Sequence, residues 1–408
     1  MKHRRRSLIQ FCLSLLLFSF CASPLGANDS ARATPSPFPV PAGLESAIEF
    51  WKRIFSEYSI SQVVYFDPLD LSKIYEVADI GEESRSNEYF NGERARIAAT
   101  HNVDLERVKV QRGVRERTAA GIKRSGRYIA QVKQIFKERD LPTELTYLPI
   151  VESSYDISAR SSVGALGIWQ FMPRTGRQYL RMGRGIDERK DPLESSRAAA
   201  AYLSEAYDRL GSWPLAITSY NYGQAGMARA VDEVGSSNLV DLIAKYNHPN
   251  WGFPPKQFYA EFLAAVEIGT NLERYFPGLE LDAPAHIKEV EVTRSTPLTT
   301  LIRSSGLSHS DFLGWNPALS ANIATVPAGY RVKLPTNRSL QPLVVLAKNE
   351  PPAPKPRVQV VHHRVKHGET LYDIARRYGA SVQRIAQVNG LRRSHLLRVG
   401  STLRIPQL

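Results

Sequence analysis

Two segments in the last third of this 408-residue chain can be laid on one another. Leu298, Leu301, Gly306, Ser308, Phe312 and Asn316 precede Leu371, Ile374, Gly379, Ser381, Ile385 and Asn389 by 73 positions each. The closing runs Gly329-Tyr330-Arg331-Val332-Lys333-Leu334-Pro335 and Gly400-Ser401-Thr402-Leu403-Arg404-Ile405-Pro406 match at an offset of 71, so one loop differs by two residues. Short β-like runs flank short helical ones in each copy. This reads as a repeated strand–helix–helix–strand unit, at 286–335 and 362–406, joined by a Pro-rich stiff linker over 336–360. At about 150 residues per domain, the length leaves room for one or two further domains before the repeat.

The beginning of the chain has a different character. Arg4-Arg5-Arg6 precede an apolar run from Leu8 to Phe20 and the small residues of Pro24-Leu25-Gly26-Ala27. A basic start, a short apolar centre and a small-residue end describe a secretory signal over 1–27, and the run is too short to span a bilayer comfortably. Cleavage after Ala27 would remove both cysteines, Cys12 and Cys21, so an exported protein without disulfides must rely on its core. A competing reading makes Cys21 a lipid-modified first residue, although Phe20 stands where a small residue is expected. Residues 28–43 are Pro-, Ser- and Ala-rich and read as an extended tether.

Removal of Lys2, Arg4, Arg5 and Arg6 reduces the formal charge from +13 to +9. The remaining basic residues are scattered among acids without a long basic block. They read as a solvated surface with mild preference for anionic polymers, and no nucleic-acid partner is expected. Trp51, Ile54, Phe55 and Tyr58 are spaced as on one helix face, and 44–140 reads as an N-terminal helical region. It includes one long amphipathic stretch near 114–139, carrying Ile122, Ile129, Val132, Ile135 and Phe136. Further helices are expected from Pro142 to about Glu152 and from Ser195 to Leu210, the latter closed by Gly211.

Absences narrow the chemistry. No histidine lies between His101 and His248, and the mature chain would hold no cysteine. That stretch cannot supply a Ser–His–Asp triad, a Cys–His pair or a His-based zinc site, and no phosphate-cradling loop is present. His362, His363 and His367 cluster at a strand and its turn and read as exposed and functionally silent. No metal and no cofactor are expected.

Carboxylate chemistry survives. Leu145, Leu148 and Glu152 are spaced i, i+3, i+7, so the glutamate lies on an apolar stripe in the last turn of its helix. Desolvation and the negative end of the helix dipole both disfavour its ionised form. A carboxylic acid kept protonated near neutral pH can donate to a leaving oxygen. The bland alternative is an end-of-helix glutamate that turns to solvent. Downstream, Gly164-Ala165-Leu166-Gly167-Ile168-Trp169-Gln170-Phe171-Met172-Pro173 combines close-approach glycines with an aromatic face and an amide, as a sugar ring requires. Ordinary core packing is the competing reading for Trp169 and Met172. Ser219-Tyr220-Asn221-Tyr222-Gly223 suits a helix end that presents polar side chains to a cleft.

Glu152-Ser153, Ser161, the Gly164-to-Pro173 block and Ser219-Tyr220-Asn221-Tyr222-Gly223 together resemble the lytic transglycosylase domain of the goose-lysozyme-like fold, over about 85 residues. Tyr147-Leu148-Pro149-Ile150-Val151 and the Trp of Gly167-Ile168-Trp169-Gln170 look most like the membrane-bound lytic murein transglycosylase D type. The two repeats resemble LysM modules. The fold this implies is a mainly α, lysozyme-like catalytic domain at 141–280, followed by two small α+β (βααβ) LysM-type modules.

The resemblance implies that Glu152 protonates the bond between N-acetylmuramic acid and N-acetylglucosamine in peptidoglycan. It then takes the proton of the muramyl 6-hydroxyl as that oxygen closes onto C1, leaving a 1,6-anhydromuramyl end. Ser161, Gln170, Met172, Tyr220 and Asn221 fall at the family positions that orient the acid and hold the sugars, with Tyr220 bonding Glu152 and Ser161 assisting the 6-hydroxyl. In the second LysM copy, Gly368, Thr370, Leu371 and Asn389 are the expected glycan-binding positions. The first copy has Arg294-Ser295-Thr296-Pro297-Leu298 in place of Gly-Glu-Thr-Leu and is expected to serve mainly as a packed spacer. Glycan strands are the expected partner and a monomer the expected state, in the periplasm or cell envelope, with outer-membrane association left open.

Two other readings remain: a hydrolytic muramidase on the same fold, and a non-catalytic wall-binding protein. An ordinary glycosidase needs a second carboxylate, about 5 Å away if it retains configuration. Asp156 and the group Asp187, Glu188, Asp191 and Glu194 are the nearest in sequence. The group is expected to supply surface charge and a helix cap.

Overall fold

The computed structural model describes residues 36–82, 85–340, 360–380, 382–391 and 397–406. The leader, residues 28–35 of the tether, and 341–359 of the linker lie outside the described residues. Helix α1 (Glu45–Ser56) buries Ala47, Phe50, Trp51, Ile54 and Phe55 on one face, as its spacing requires. The next segment departs from the expected helical region over 44–140. Strand β1 (Gln62–Asp67) pairs antiparallel with β2 (Asp70–Asp79) and, on its other side, with β3 (Lys109–Arg112). Its residues alternate in burial, with Val64 and Phe66 in the main core and Val63 and Tyr65 in a smaller core with Ile97 and Val108. Helix α2 (Asn87–His101) supplies Ile97 and Ala98 to that smaller core. A strand buried on both faces reads as an unbroken apolar run, so hydrophobic periodicity does not reveal it.

The amphipathic stretch expected over 114–139 is two helices, α3 (Arg115–Ser125) and α4 (Ile129–Lys137). Gly126 lies at the break, where its backbone packs so closely on Asp282 that a Cβ would collide. The helix expected from Pro142 likewise divides into a 3-10 turn, Thr143–Tyr147, and the short α5 (Leu148–Ser153). Pro149 explains the change. It lacks the N–H that a continuous α-helix would give to the carbonyl of residue 145, and its ring would crowd that carbonyl.

Beyond α5 come α6 (Pro173–Tyr179), the hairpin β4 (Met182–Gly183) and β5 (Ile186–Asp187), α7 (Pro192–Leu210), α8 (Trp213–Tyr222), α9 (Gln224–Val234), α10 (Leu239–Lys245), α11 (Phe253–Thr270) and α12 (Leu272–Tyr275). The α7 helix starts three residues before the expected Ser195, because Asp191 accepts from the backbone N–H groups of Leu193 and Glu194 at 2.9 and 3.0 Å. It ends at Gly211, whose φ of 75° is left-handed. Helix α11 runs through the main core, is buried along much of its length, and packs against α1, α8 and α5.

The first repeat copy contains β6 (Ile287–Glu291), β7 (Thr296–Pro297), α13 (Leu298–Ser305), α14 (His309–Trp315), β8 (Thr325–Val326) and β9 (Arg331–Pro335), with β6 antiparallel to β9. The second has β10 (Val360–Arg364), α15 (Leu371–Tyr378), α16 (Val382–Val388) and β11 (Thr402–Pro406), with β10 antiparallel to β11. Asn316 and Asn389 make the same three bonds in their copies. Each side-chain amide donates back to residue i−4 and across to the closing strand, and its carbonyl accepts an N–H of that strand at 2.8 Å.

The first copy is joined to the helical domain. Asp187 N–H donates to the Ala318 carbonyl and Ser320 N–H to that of Gly185, both at 2.8 Å, and Ile186 is buried in the core of the copy. Beside them, Lys333 is 2% exposed and its ammonium lies 2.9 Å from Asp191 and 2.7 Å from Glu194. Arg331 pairs with Glu194, and Arg197 with Glu194 and Glu289. The expectation of surface charge at 187–194 is therefore corrected for Glu188, which is 7% exposed, and for Asp191 and Glu194. Asp191 is the expected cap, but its carboxylate and that of Glu194 are buried and neutralised by cations from a distant strand.

Candidate active site

Glu152 is placed by the end of α5. The helix stops because Ser154 and Tyr155 both take left-handed φ values, 51° and 55°, and their N–H groups return to the carbonyls of Ile150 and Pro149. Two successive left-handed non-glycine residues carry strain that the surroundings must hold. Arg124 of α3 donates to the Ser154 carbonyl at 2.7 Å, and the buried Tyr155 hydroxyl donates to the Thr146 carbonyl. Leu145 and Leu148 are fully buried below the acid, as the apolar stripe requires.

Ser153 ties this helix to the glycine-containing loop, donating from its hydroxyl to the Ile168 carbonyl at 2.8 Å. Within the loop, Ser161 Oγ accepts from Ala165 N–H at 2.9 Å. Gln170, at φ 47°, donates its amide to the carbonyls of Ala159 and Gly167 at 3.0 and 2.8 Å. Gly167 is required on two counts: its φ is 79°, and a Cβ would strike the Arg189 carbonyl. The buried Arg189 guanidinium then donates to the carbonyls of Gly164 and Phe171, at 2.8 and 3.0 Å, with Asp187 as its counter-ion. Met172, at the end of the loop, is 40% exposed.

Trp169 is not a surface platform. It is fully buried, stacks on Phe136 at 5.6 Å and donates its indole N–H to Ser196 Oγ of α7 at 2.8 Å. Of the two readings offered for it, core packing holds. From α8, the Tyr220 hydroxyl donates to the Trp169 carbonyl at 2.8 Å. The bond expected from Tyr220 to Glu152 is therefore not made in this structure, although burial and the charge of Glu152 hold the phenol in its neutral form. Asn221 follows at the exposed helix end, and its side chain makes no hydrogen bond among the described residues.

Glu152 is partly buried and makes no hydrogen bond or ion pair among the described residues. Desolvation, followed by the charge of Glu261, pushes its pKa up to about 8. Asp156 is of the opposite kind. Its carboxylate accepts from Ser158 N–H and Oγ at 2.8 and 2.7 Å, and these bonds with nearby Arg124 and Arg117 outweigh desolvation and lower its pKa. Glu194 is lowered too, since Lys333 and Arg331 overcome its desolvation. Glu152 thus keeps a proton near neutral pH, as does Glu261, which burial also pushes up to about 8. Glu261, from α11, was missed in the sequence because a glutamate amid apolar residues gives no sign of which distant helix it meets.

The LysM-type positions belong to the second repeat copy. Gly368 has a φ of 80°, Thr370 Oγ1 donates to Asp373 at 2.6 Å, and Leu371 packs on the small core of its copy. Asn389 is bound up in its three backbone bonds. His363 departs from the expected exposed set. It is 5% exposed, with its ring nitrogens 2.7 Å from Glu369 and 3.1 Å from the Tyr378 hydroxyl, while His362 and His367 are exposed. Among the described residues no group of His, Cys, Asp and Glu could hold a metal ion, and no helix is long and apolar enough to cross a membrane.

The chain matches the transglycosylase SLT domain family over 130–242 and the LysM domain family over 363–406. It is 30% identical over 288 residues to the membrane-bound lytic murein transglycosylase D of Escherichia coli (strain K12), covering 66% of this chain and 61% of that protein. It is 31% identical over 112 residues to the membrane-bound lytic murein transglycosylase F 2 of Alkalilimnicola ehrlichii, covering 26% of this chain and 24% of that one. Among solved structures, the lytic transglycosylase Slt of Pseudomonas aeruginosa aligns at 22% identity and a TM-score of 0.29, over 38% of this chain and 25% of that one. The chain spans about three fifths of the length of the first of these relatives. Residues 130–242 are a transglycosylase SLT domain, and residues 363–406 are a LysM domain.

Proposed function

We propose that this chain is an exported peptidoglycan lytic transglycosylase that cleaves the β-1,4 bond between N-acetylmuramic acid and N-acetylglucosamine, leaving 1,6-anhydromuramyl ends. One observation carries the reading. Glu152 stands at the end of α5 in the SLT domain, its side chain without a cation or hydrogen-bond donor among the described residues, with its pKa pushed up to about 8. An acid in that state donates its proton to the glycosidic oxygen as the C1–O bond breaks, and as a carboxylate takes the proton of the 6-hydroxyl as O6 closes on C1. Proton count is unchanged over the cycle, and no water is consumed.

Asn221 and Met172 present exposed amide and thioether groups to the sugars. Ser161, Gln170 and Tyr220 act in this reading by holding the loop and the helix that frame the acid, each through its bonds to backbone. In this reading the leader directs the protein to the periplasm or envelope, where it works as a monomer on glycan strands, with outer-membrane association set by what becomes of Cys21. The LysM domain at 363–406 holds N-acetylglucosamine along the strand through the loops around Gly368, Thr370, Leu371 and Asn389. The first copy, whose loop residues Ala318 and Ser320 are bonded to the β4–β5 hairpin, serves as a fixed spacer of LysM type.

The test is mass spectrometry of muropeptides released from purified peptidoglycan by the wild-type chain and by Glu152→Gln. The expected products are lighter by one water than hydrolytic ones, and the variant releases about 10²- to 10⁴-fold less, the usual loss for a general acid. Reducing ends carrying the water would make the protein a muramidase; no release by either, with binding retained, would leave a wall-binding protein.

A further inference from the structure

The β4–β5 hairpin turns on Arg184 and Gly185, whose φ values of 51° and 81° are both left-handed. Two-residue turns of this kind favour Asn, Asp or Gly at the first position, so an arginine there is held at a cost in strain. Its exposed guanidinium makes no hydrogen bond or ion pair among the described residues. Arg184 and Gly185 form one wall of a recess of about 300 Å³, and the other wall is the loop that follows α14 in the first repeat copy. Two contacts fix the walls together: Ser320 N–H donates to the Gly185 carbonyl at 2.8 Å, and Ile186 bridges to Leu319. Ile323, 8% exposed, lies against the Gly185 backbone, where a Cβ would meet it at 3.1 Å. The polar groups of the recess are free to donate. Ser320 Oγ accepts from Asn322 N–H at 3.4 Å, which leaves its own hydrogen unused. The side chains of Asn322 and Thr325 make no hydrogen bond among the described residues. Among those residues no carboxylate lines the recess.

We propose that this recess is a subsite for a carboxylate of the peptide stem that the muramyl residues of peptidoglycan carry. The inference rests on the reading of the chain as an enzyme of peptidoglycan, and it names a part of that substrate beyond the sugars. A free cation with three neighbouring donors and no acid selects an anion, and a planar guanidinium suits the paired oxygens of a carboxylate. The apolar floor at Ile323 suits the aliphatic part of a peptide, as small-ligand sites combine an apolar base with a few polar groups. A neutral sugar gains nothing from the charge. Glycine at 184 would relieve the turn but remove the cation of the recess. The hairpin also carries Asp187, the counter-ion of Arg189, which donates to the carbonyls of Gly164 and Phe171. A stem held at Arg184 is therefore anchored on the element that leads into the support of the Ser161 and Gln170 loop.

The experiment compares the wild-type chain with Arg184→Gly and Arg184→Lys. Glycine suits the left-handed turn, so Arg184→Gly should fold and melt close to the wild type. Steady-state kinetics are measured on glycan strands that carry their stems and on strands freed of them by an amidase. On stem-bearing strands Arg184→Gly should raise KM about three- to tenfold with kcat unchanged, the loss expected for one charge-assisted contact at an exposed site. On stem-free strands, where that contact is not made, it should match the wild type within about twofold. Arg184→Lys keeps the charge without the fork and should fall between the two. NMR titration with the free stem peptide, and with the same peptide after amidation of its carboxyls, reads binding without turnover. The free peptide should shift the Ser320 and Asn322 amide resonances in the wild type but not in Arg184→Gly, and the amidated peptide should shift them in neither. An unchanged KM on stem-bearing strands would overturn the proposal. So would an equal rise on both kinds of strand, which would make the glycan the ligand. If the wild type released no anhydro ends, the transglycosylase reading would fail, and the titration alone would decide the subsite.

Discussion

Glu152 illustrates what a single side chain declares in advance. A glutamate in place of a leucine at i+7 of an apolar stripe has to be desolvated, and in the structure both leucines below it are buried and its pKa is raised to about 8. This has a consequence for stability. A carboxyl whose folded pKa lies above its unfolded value binds more protons when folded, so its contribution is intact below about pH 4.5 and lost as pH rises toward 8. Glu152→Gln should therefore melt with the wild type at pH 4.5 and several degrees above it at pH 8. That corresponds to about 1–2 kcal/mol after allowance for the part of the side chain still in solvent. A variant that melts lower at pH 8 would show that the carboxyl is not disfavoured there. Trp169 and Tyr220 were less legible. Their residue types suit a sugar site, but whether an aromatic faces substrate or core is decided by the helices behind it, here Phe136 of α4 and Ser196 of α7. Glu261 was illegible for a similar reason, because the Glu152 on which its charge acts lies more than a hundred residues away.

Among the elements, those with one apolar face were readable and those buried on both sides were not. Helices α1 and α7 follow their spacing and caps, whereas β1 hides between two cores and Pro149 divides what looked like one helix. The charged residues around the start of α7 were misread most clearly. Their spacing fits a solvated cap, yet Lys333 arrives from β9 to bury them. Asp191 and Glu194 face Lys333 at 2.9 and 2.7 Å, so its loss would strand the buried Asp191 carboxylate and leave Glu194 to Arg331 and Arg197. Lys333→Met should destabilise the folded chain by about 3–5 kcal/mol at pH 7, the usual cost of breaking a buried pair. Glu194 titrates below its ordinary value, so its ion-pair contribution is present above about pH 4.5 and disappears as pH falls through its folded pKa. The penalty should therefore shrink in acid. Urea unfolding at pH 7 and pH 3.5 checks this; an equal penalty at both would mean that packing, not charge, is what Lys333 supplies.

At the scale of the whole molecule, the two repeat copies share an internal design and differ in use. Asn316 and Asn389 bind their closing strands identically, but the loop after Asn316 is bonded to the β4–β5 hairpin. Asp187 of the same hairpin pairs with Arg189, whose guanidinium donates to the Gly164 and Phe171 carbonyls of the loop that holds Ser161 and Gln170. The repeat itself was legible in sequence, since both copies obey one internal geometry; its attachment was not, since Arg331 and Lys333 are ordinary strand residues until their partners are seen. In the proposed reaction Glu152 carries the chemistry, with the 6-hydroxyl of the sugar itself in the place of water. Digestion of purified peptidoglycan in H₂¹⁸O, with mass analysis of the released muramyl ends, tests that most directly. Ends free of ¹⁸O and lighter by one water are the predicted result, and one ¹⁸O at each new muramyl end would contradict it.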